Sequence, residues 1–146
     1  MAKYINNMDE LQAALMPELK RMIDVLTERV YETLNFFLLE YYNSYDPEFY
    51  YRQYDFLHSA IKTVSQINGN SVEAYVYIDY NAMDNYYNAS GFQVASWANE
   101  GLHGGWNAGN STPHVWDATM DETVNNGELL RLAVDYLRSK GFYVKD

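Results

Sequence analysis

The sequence predicts an α+β domain in which a long N-terminal helix covers an antiparallel β-sheet and a short helix closes the chain. Three observations carry that reading. Apolar residues recur at steps of three and four from Leu19 to Tyr41; strict two-residue alternation runs from Val72 to Asp79 behind an Asn68-Gly69 dipeptide; a second three-four pattern lies between Glu128 and Lys140. The chain has 146 residues and no internal repeat or break in composition, so residues 1–146 are expected to form a single domain. Apolar residues make up 48% and aromatic ones 16%, which argues against disorder.

Taken in order, the helical region is expected over residues 8–42. Asn7 followed by Glu10 resembles a capping box, and Asp9 with Glu10 places negative charge in the first turn. Pro17 donates no backbone hydrogen bond, so a break or kink is expected there with the helix restarting. Beyond it Leu19, Met22, Ile23, Leu26, Val30, Leu34, Phe37 and Tyr41 form one apolar stripe. Asn43 to Pro47 reads as a turn, and Phe49 to Ser59 as an ordered connection.

The antiparallel sheet is expected within residues 60–97. Ile61 to Ile67 and Ser71 to Tyr80 flank Asn68-Gly69 as a hairpin, with Val72, Ala74, Val76 and Ile78 on the core face and Glu73, Tyr75, Tyr77 and Asp79 on the other. Gly91 to Trp97 reads as a further strand, from the alternation of Phe92, Val94 and Ser96. Residues 99–113 hold four of the eight glycines and no period, which predicts a long loop of the kind compact domains keep for a function. A short helix over about Val115 to Glu122 and a C-terminal helix over 128–140 follow. The latter has Leu129, Leu130, Ala133, Tyr136 and Leu137 on its apolar face and Gly141 as its stop.

Charge excludes several functions. Ten Lys and Arg against twenty Asp and Glu give a net charge of −10, which disfavours general nucleic-acid binding. Residues 63–127 contain seven acids and no Lys or Arg, so this middle region projects a negative field. The absence of cysteine removes disulfides, thiol nucleophiles and thiolate metal sites. MAKYINNMDELQ lacks the apolar run of a signal peptide and no later stretch is long and apolar enough to span a bilayer, so no membrane partner is expected and an intracellular origin is the default.

Chemistry-bearing motifs are sparse. The glycines at 101, 104, 105 and 109 have no cation beside them, unlike a phosphate-binding loop, and none of His58, His103 and His114 sits in a nucleophile motif. Glu100, His103, His114 and Asp117 form a loose carboxylate and imidazole set with which a divalent metal would be compatible, but solvated or backbone-bonded side chains explain them as well. No cofactor, no metal and no catalytic residue is assigned. The anomaly is 15 tyrosines, among them Tyr50, Tyr54, Tyr75 and Tyr77. Tyrosine offers wide contact area with a polar tip, which suits both the edge of a core and a protein interface. Trp106 lies in the glycine-rich loop with little local core to bury it, and it heads the candidate contact residues with Trp97, Leu102, Tyr50, Tyr54, Tyr75 and Tyr77.

The order of parts resembles the neck and tail-completion proteins of long-tailed bacteriophages, the small head-tail joining proteins. Tyr45, Pro47, Tyr50, Arg52 and Leu57 stand where that family has its Tyr-x-Pro-x-x-Tyr-x-Arg segment and following Leu, and Pro113, Trp116 and Met120 resemble the late Pro, aromatic and short helix. The similarity spans roughly Met8 to Lys140 and departs from the family at Gln53-Tyr54, where a small pair is usual. It implies a helix across a twisted antiparallel sheet and a structural virion protein without catalytic residues. It further implies a homo-oligomeric ring at the head-tail junction, contacts with other phage head-completion and tail proteins, and DNA passing through without specific binding. An acidic inhibitor or DNA mimic directed at a host nucleic-acid-binding protein is the alternative that the charge supports, and a small metal-dependent enzyme is a third.

Overall fold

A computed structural model describes residues 4–44, 54–83, 89–100, 102–103, 106–107 and 114–145, with the backbone alone at 102–103 and 106–107. The first helix begins where its cap predicts. Asn7 Oδ1 accepts from the Glu10 N–H at 2.9 Å, and the Glu10 carboxylate accepts from the Asn6 N–H at 2.8 Å. The helix, α1 (Met8–Asn43), then runs for 36 residues, about 54 Å at 1.5 Å per residue. The expected break at Pro17 is absent. Ala13, whose carbonyl loses its N–H partner, and Pro17 itself are both exposed, so water can take the missing bond on that side.

Four short strands, β1 (Ala60–Lys62), β2 (Gln66–Asn68), β3 (Ser71–Glu73) and β4 (Val76–Ile78), make one long hairpin interrupted in the middle. β1 pairs antiparallel with β4 (Ala60↔Ile78, Lys62↔Val76), and β2 with β3 (Gln66↔Glu73, Asn68↔Ser71). Residues 63–65 separate the first pair of strands where only 74–75 separate the second, so the first strand carries one extra residue, a bulge. The turn is Gly69-Asn70, one position later than the predicted dipeptide, with Gly69 in the left-handed region at φ 60°.

The predicted strand from Gly91 to Trp97 is instead the helix α2 (Gly91–Asn99). Ser90 Oγ accepts from the Gln93 N–H and the Gln93 side chain accepts from the Ser90 N–H, a reciprocal cap that outweighs six residues of loose alternation. Packing then uses Val94, Ala95 and Ala98, the helical face. Among the described residues the two paired ladders of the hairpin thus run from Ala60 to Ile78. A small ladder, β5 (Leu102–His103) with β6 (Trp106–Asn107), lies inside the segment expected to be a loop.

The remaining helices are α3 (Val115–Met120), which continues through a π-helical turn at Asp121–Asn125, and α4 (Glu128–Ser139). Gly127 at φ 78° separates them. Gly141 at φ 88° stops α4, with Phe142 N–H donating to the Leu137 carbonyl at 3.0 Å. Leu130, expected on the buried face of α4, is 71% exposed.

The core gathers around the C-terminal half of α1: Leu34, Leu38 and Tyr41 pack with Phe56, Ala60, Met83, Ala98 and Val115. Threonines at 27, 33, 119 and 123 are buried in their helices, and each hydroxyl donates to the carbonyl four residues back at 2.6–2.8 Å, which satisfies it without a distant partner. Two elements flank the N-terminal half of α1. The hairpin touches Gln12, Lys20, Asp24 and Glu28, and α4 touches Glu18 and Arg29. Those two sets lie about 150° apart around the axis at 3.6 residues per turn.

Candidate interaction surface

The hairpin is aimed by the bulge. Ser65 is buried, its N–H donates to Asp24 Oδ1 at 2.8 Å, and its hydroxyl donates to the Lys20 carbonyl at 2.9 Å. The Ser65 N–H holds the Asp24 carboxyl below its ordinary value of 3.8, helped by the Ser65 hydroxyl, Lys20 and Lys62 against an opposing effect of burial. On the same inward face Lys62 pairs with Glu28 and lies 5.1 Å from the Tyr31 ring centre. The Glu28 hydrogen bond raises the Lys62 ammonium above its usual range. At the tip Gln12 Nε2 donates to Asn70 Oδ1 at 2.7 Å.

With one face tied to α1, the other must point away from it. Tyr75 is 60% and Tyr77 45% exposed, as the alternation predicted, while Val76 and Ile78 pack against the core. The Tyr75 hydroxyl donates to the Glu73 carboxylate at 3.2 Å, and the Tyr75 N–H donates to Thr63 Oγ1 at 2.8 Å across the bulge. Val64, pushed out by the extra residue, is 70% exposed. Thr63, Val64 and Tyr75 border an open depression of about 460 Å³ whose lining also includes Ile67 and Glu73. Sequence reasoning found the tyrosines but not Val64, because a bulge is set by the register of the partner strand and leaves no mark in alternation alone.

The other predicted contact residues are scattered. Tyr54 is half exposed and stacks on Tyr42 at 5.6 Å, at the margin of the aromatic group formed by Tyr41 and Phe56. Trp97 is half-buried on α2. Tyr50 and the side chains of Leu102 and Trp106 lie outside the described residues. An exposed pair that the sequence reading missed joins the hairpin to α2: Tyr80 and Phe92 meet edge to face at 5.5 Å. Their contact depends on Gly91, where a Cβ would collide with the Tyr80 carbonyl and sit 3.0 Å from Met83.

The carboxylate and imidazole set is taken up in part by structure. His114 Nδ1 meets the Asn99 carbonyl at 2.7 Å, which requires that nitrogen to carry the proton, and the Asp117 N–H donates to Asn99 Oδ1 at 2.8 Å. Asn99 thus ties the end of α2 to the start of α3. Among the described residues no three His, Asp or Glu side chains gather in a way that would hold a metal ion, and the side chain of His103 is not among them. No helix among the described residues is long and apolar enough to cross a membrane.

On the far flank Arg29 grips Glu128 with two bonds, Nε to Oε1 at 2.7 Å and Nη2 to Oε2 at 3.3 Å. Tyr136 donates to Glu18 at 3.3 Å; burial, then the Glu18 charge, raises its hydroxyl above the ordinary value. The outer side of α4 carries Leu130 and an exposed Arg131–Asp135 pair at 3.3 Å.

This is a small α+β protein that presents, among its described residues, an aromatic hairpin face without Lys or Arg. Residues 7–139 match the model of the YomN family, and the chain belongs to that family. The family name is that of a Bacillus phage-derived protein, which associates the chain with phage. No curated protein and no solved structure matches it.

Proposed function

We propose that the chain is a structural, non-catalytic virion protein that assembles as an oligomeric ring at the head-tail junction, around the DNA passage. The observation that carries this reading is the outward face of the hairpin. Tyr75 and Tyr77 stand exposed on a strand tied to α1 by its opposite face, an arrangement that holds aromatic anchors rigid and open to a partner. Phage association through the YomN family supports it. The charge distribution has a use in such a ring, because residues 63–127 contain no Lys or Arg and a negative lumen does not hold passing DNA. The tyrosine surface and the segment from residue 99 to 113, with Leu102 and Trp106, supply the subunit contacts in this reading.

Light scattering tests it. The full chain is measured alone and after mixing with the head-completion and tail proteins encoded beside it. A ring-sized mass or a stable co-assembly is expected. A persistent monomer that joins none of them overturns the reading and puts an acidic inhibitor of a host nucleic-acid-binding protein in first place.

A further inference from the structure

We infer that copies of this chain pair head to tail, the outer face of the hairpin of one copy receiving the outer side of α4 of the next, with Leu130 in the depression beside Val64 and Arg131 against Glu73. The inference rests on the ring reading and specifies which surfaces would meet.

A depression with apolar borders and a carboxylate on one surface, and an exposed leucine beside an arginine on the other, carry it. The depression is open, about 460 Å³, and bordered by Val64, Ile67 and Tyr75 with one carboxylate, Glu73. Leu130 projects from α4 at 71% exposure, while the other apolar residues of that helix, from Leu129 to Leu137, are half-buried. Its neighbour Arg131 pairs with Asp135, one turn on, and both side chains are more than half exposed (63% and 56%). Such an exposed pair within one helix is weak, so Arg131 can turn to a second carboxylate at little cost. The receiving region, residues 63–127, holds no cation, whereas residues 128–146 hold four Lys or Arg against three acids.

The two surfaces also lie on different flanks of one subunit, about 150° apart around α1. A patch that meets itself produces a two-fold dimer and stops, whereas two different patches on separate flanks propagate from copy to copy and close only as a ring. The same α1 fixes both flanks: Ser65 is held by Asp24 and Lys20, and Glu128 by Arg29. The angle between knob and depression is therefore set by one rigid helix.

The absence of cysteine makes the test clean. Val64→Cys and Leu130→Cys are prepared as separate full-length chains; both positions are at least 70% exposed, so neither change removes buried packing. Each is treated with a short bismaleimide alone and in an equal mixture. A cross-linked dimer in the mixture is expected, with no cross-linked product from either variant alone. Glu73→Lys on the first chain or Arg131→Glu on the second abolishes the dimer, and both together restore it. Equal dimer within either variant alone, or no dimer in the mixture, overturns the pairing. A ring-sized mass without this cross-link leaves the ring reading standing and removes the pairing. The cross-link without a ring-sized mass does the reverse.

Discussion

The two halves of α1 are held by different kinds of interaction. From Leu34 onward the helix is fixed by apolar contact: Leu34 and Leu38 are fully buried among Phe56, Ala60, Met83, Ala98 and Val115. Up to and including Arg29 it is fixed by a series of polar ties, Gln12 to Asn70, Ser65 to Lys20 and Asp24, Lys62 to Glu28, Tyr136 to Glu18 and Arg29 to Glu128. Met16 and Met22 are buried there as well, but outside the continuous core. The contrast separates stability from orientation. Apolar burial stabilises strongly without choosing a direction, while hydrogen bonds to named atoms contribute little each but set where the hairpin and α4 point.

The largest expected effect lies in the apolar half. Leu38→Ala removes a side chain with no exposed surface and should destabilise the fold by about 3 kcal/mol, read from chemical denaturation. A loss under about 1 kcal/mol would erase the distinction between the halves. Gly91→Ala comes next at roughly 2 kcal/mol, because the added Cβ meets the Tyr80 backbone carbonyl and the side chain of Met83, a core residue. Its effect should also appear as a change in the environment of Tyr80 and Phe92, visible in their aromatic NMR resonances.

Effects in the polar half should be smaller and, for one residue, dependent on pH. Asp24→Ala leaves the buried Ser65 N–H without its acceptor and should cost about 1 kcal/mol at neutral pH. The folded state lowers the Asp24 pKa, so its contribution is fully present above the ordinary value of 3.8 and is lost as pH falls through the lower folded value. The stability difference between wild type and Asp24→Ala should therefore be flat from neutral pH down to about 4 and shrink below it. A difference that grows on acidification would contradict the proposed tie. Asn70→Ala, at the exposed tip, should change stability by less than about 0.5 kcal/mol while increasing hydrogen exchange in the turn.

Much of the fold was legible because its signals are local. Asn7 with Glu10, Gly69 and Gly141 each act through the backbone within a few residues, and the structure places a helix start, a turn and a helix stop where they stand. The signal for α2 is also present in the sequence, in Ser90 and Gln93, but the alternation of Phe92, Val94 and Ser96 over so short a run points equally to a strand. Six residues fit both periods, and the cap was the better evidence. For the candidate surface, the exposure of Tyr75 and Tyr77 followed from alternation, while the stacking of Tyr54 on Tyr42 and the helical setting of Trp97 did not.

By itself the sequence determined the long helix, the hairpin with its inner and outer faces, the C-terminal helix and the negative middle region, since period, turn chemistry and charge are written in consecutive residues. The tertiary structure alone decided that α1 passes through Pro17, that the hairpin carries an extra residue at 63–65, and that Leu130 stays exposed. Each of these depends on surroundings that lie far along the chain or outside it: the exposure of Ala13 and Pro17, Asp24 and Lys20 opposite Ser65, and the position of α4 against Glu18 and Arg29. Period along the chain selects which face of an element is apolar, but only the neighbouring element fixes how much of that face is covered.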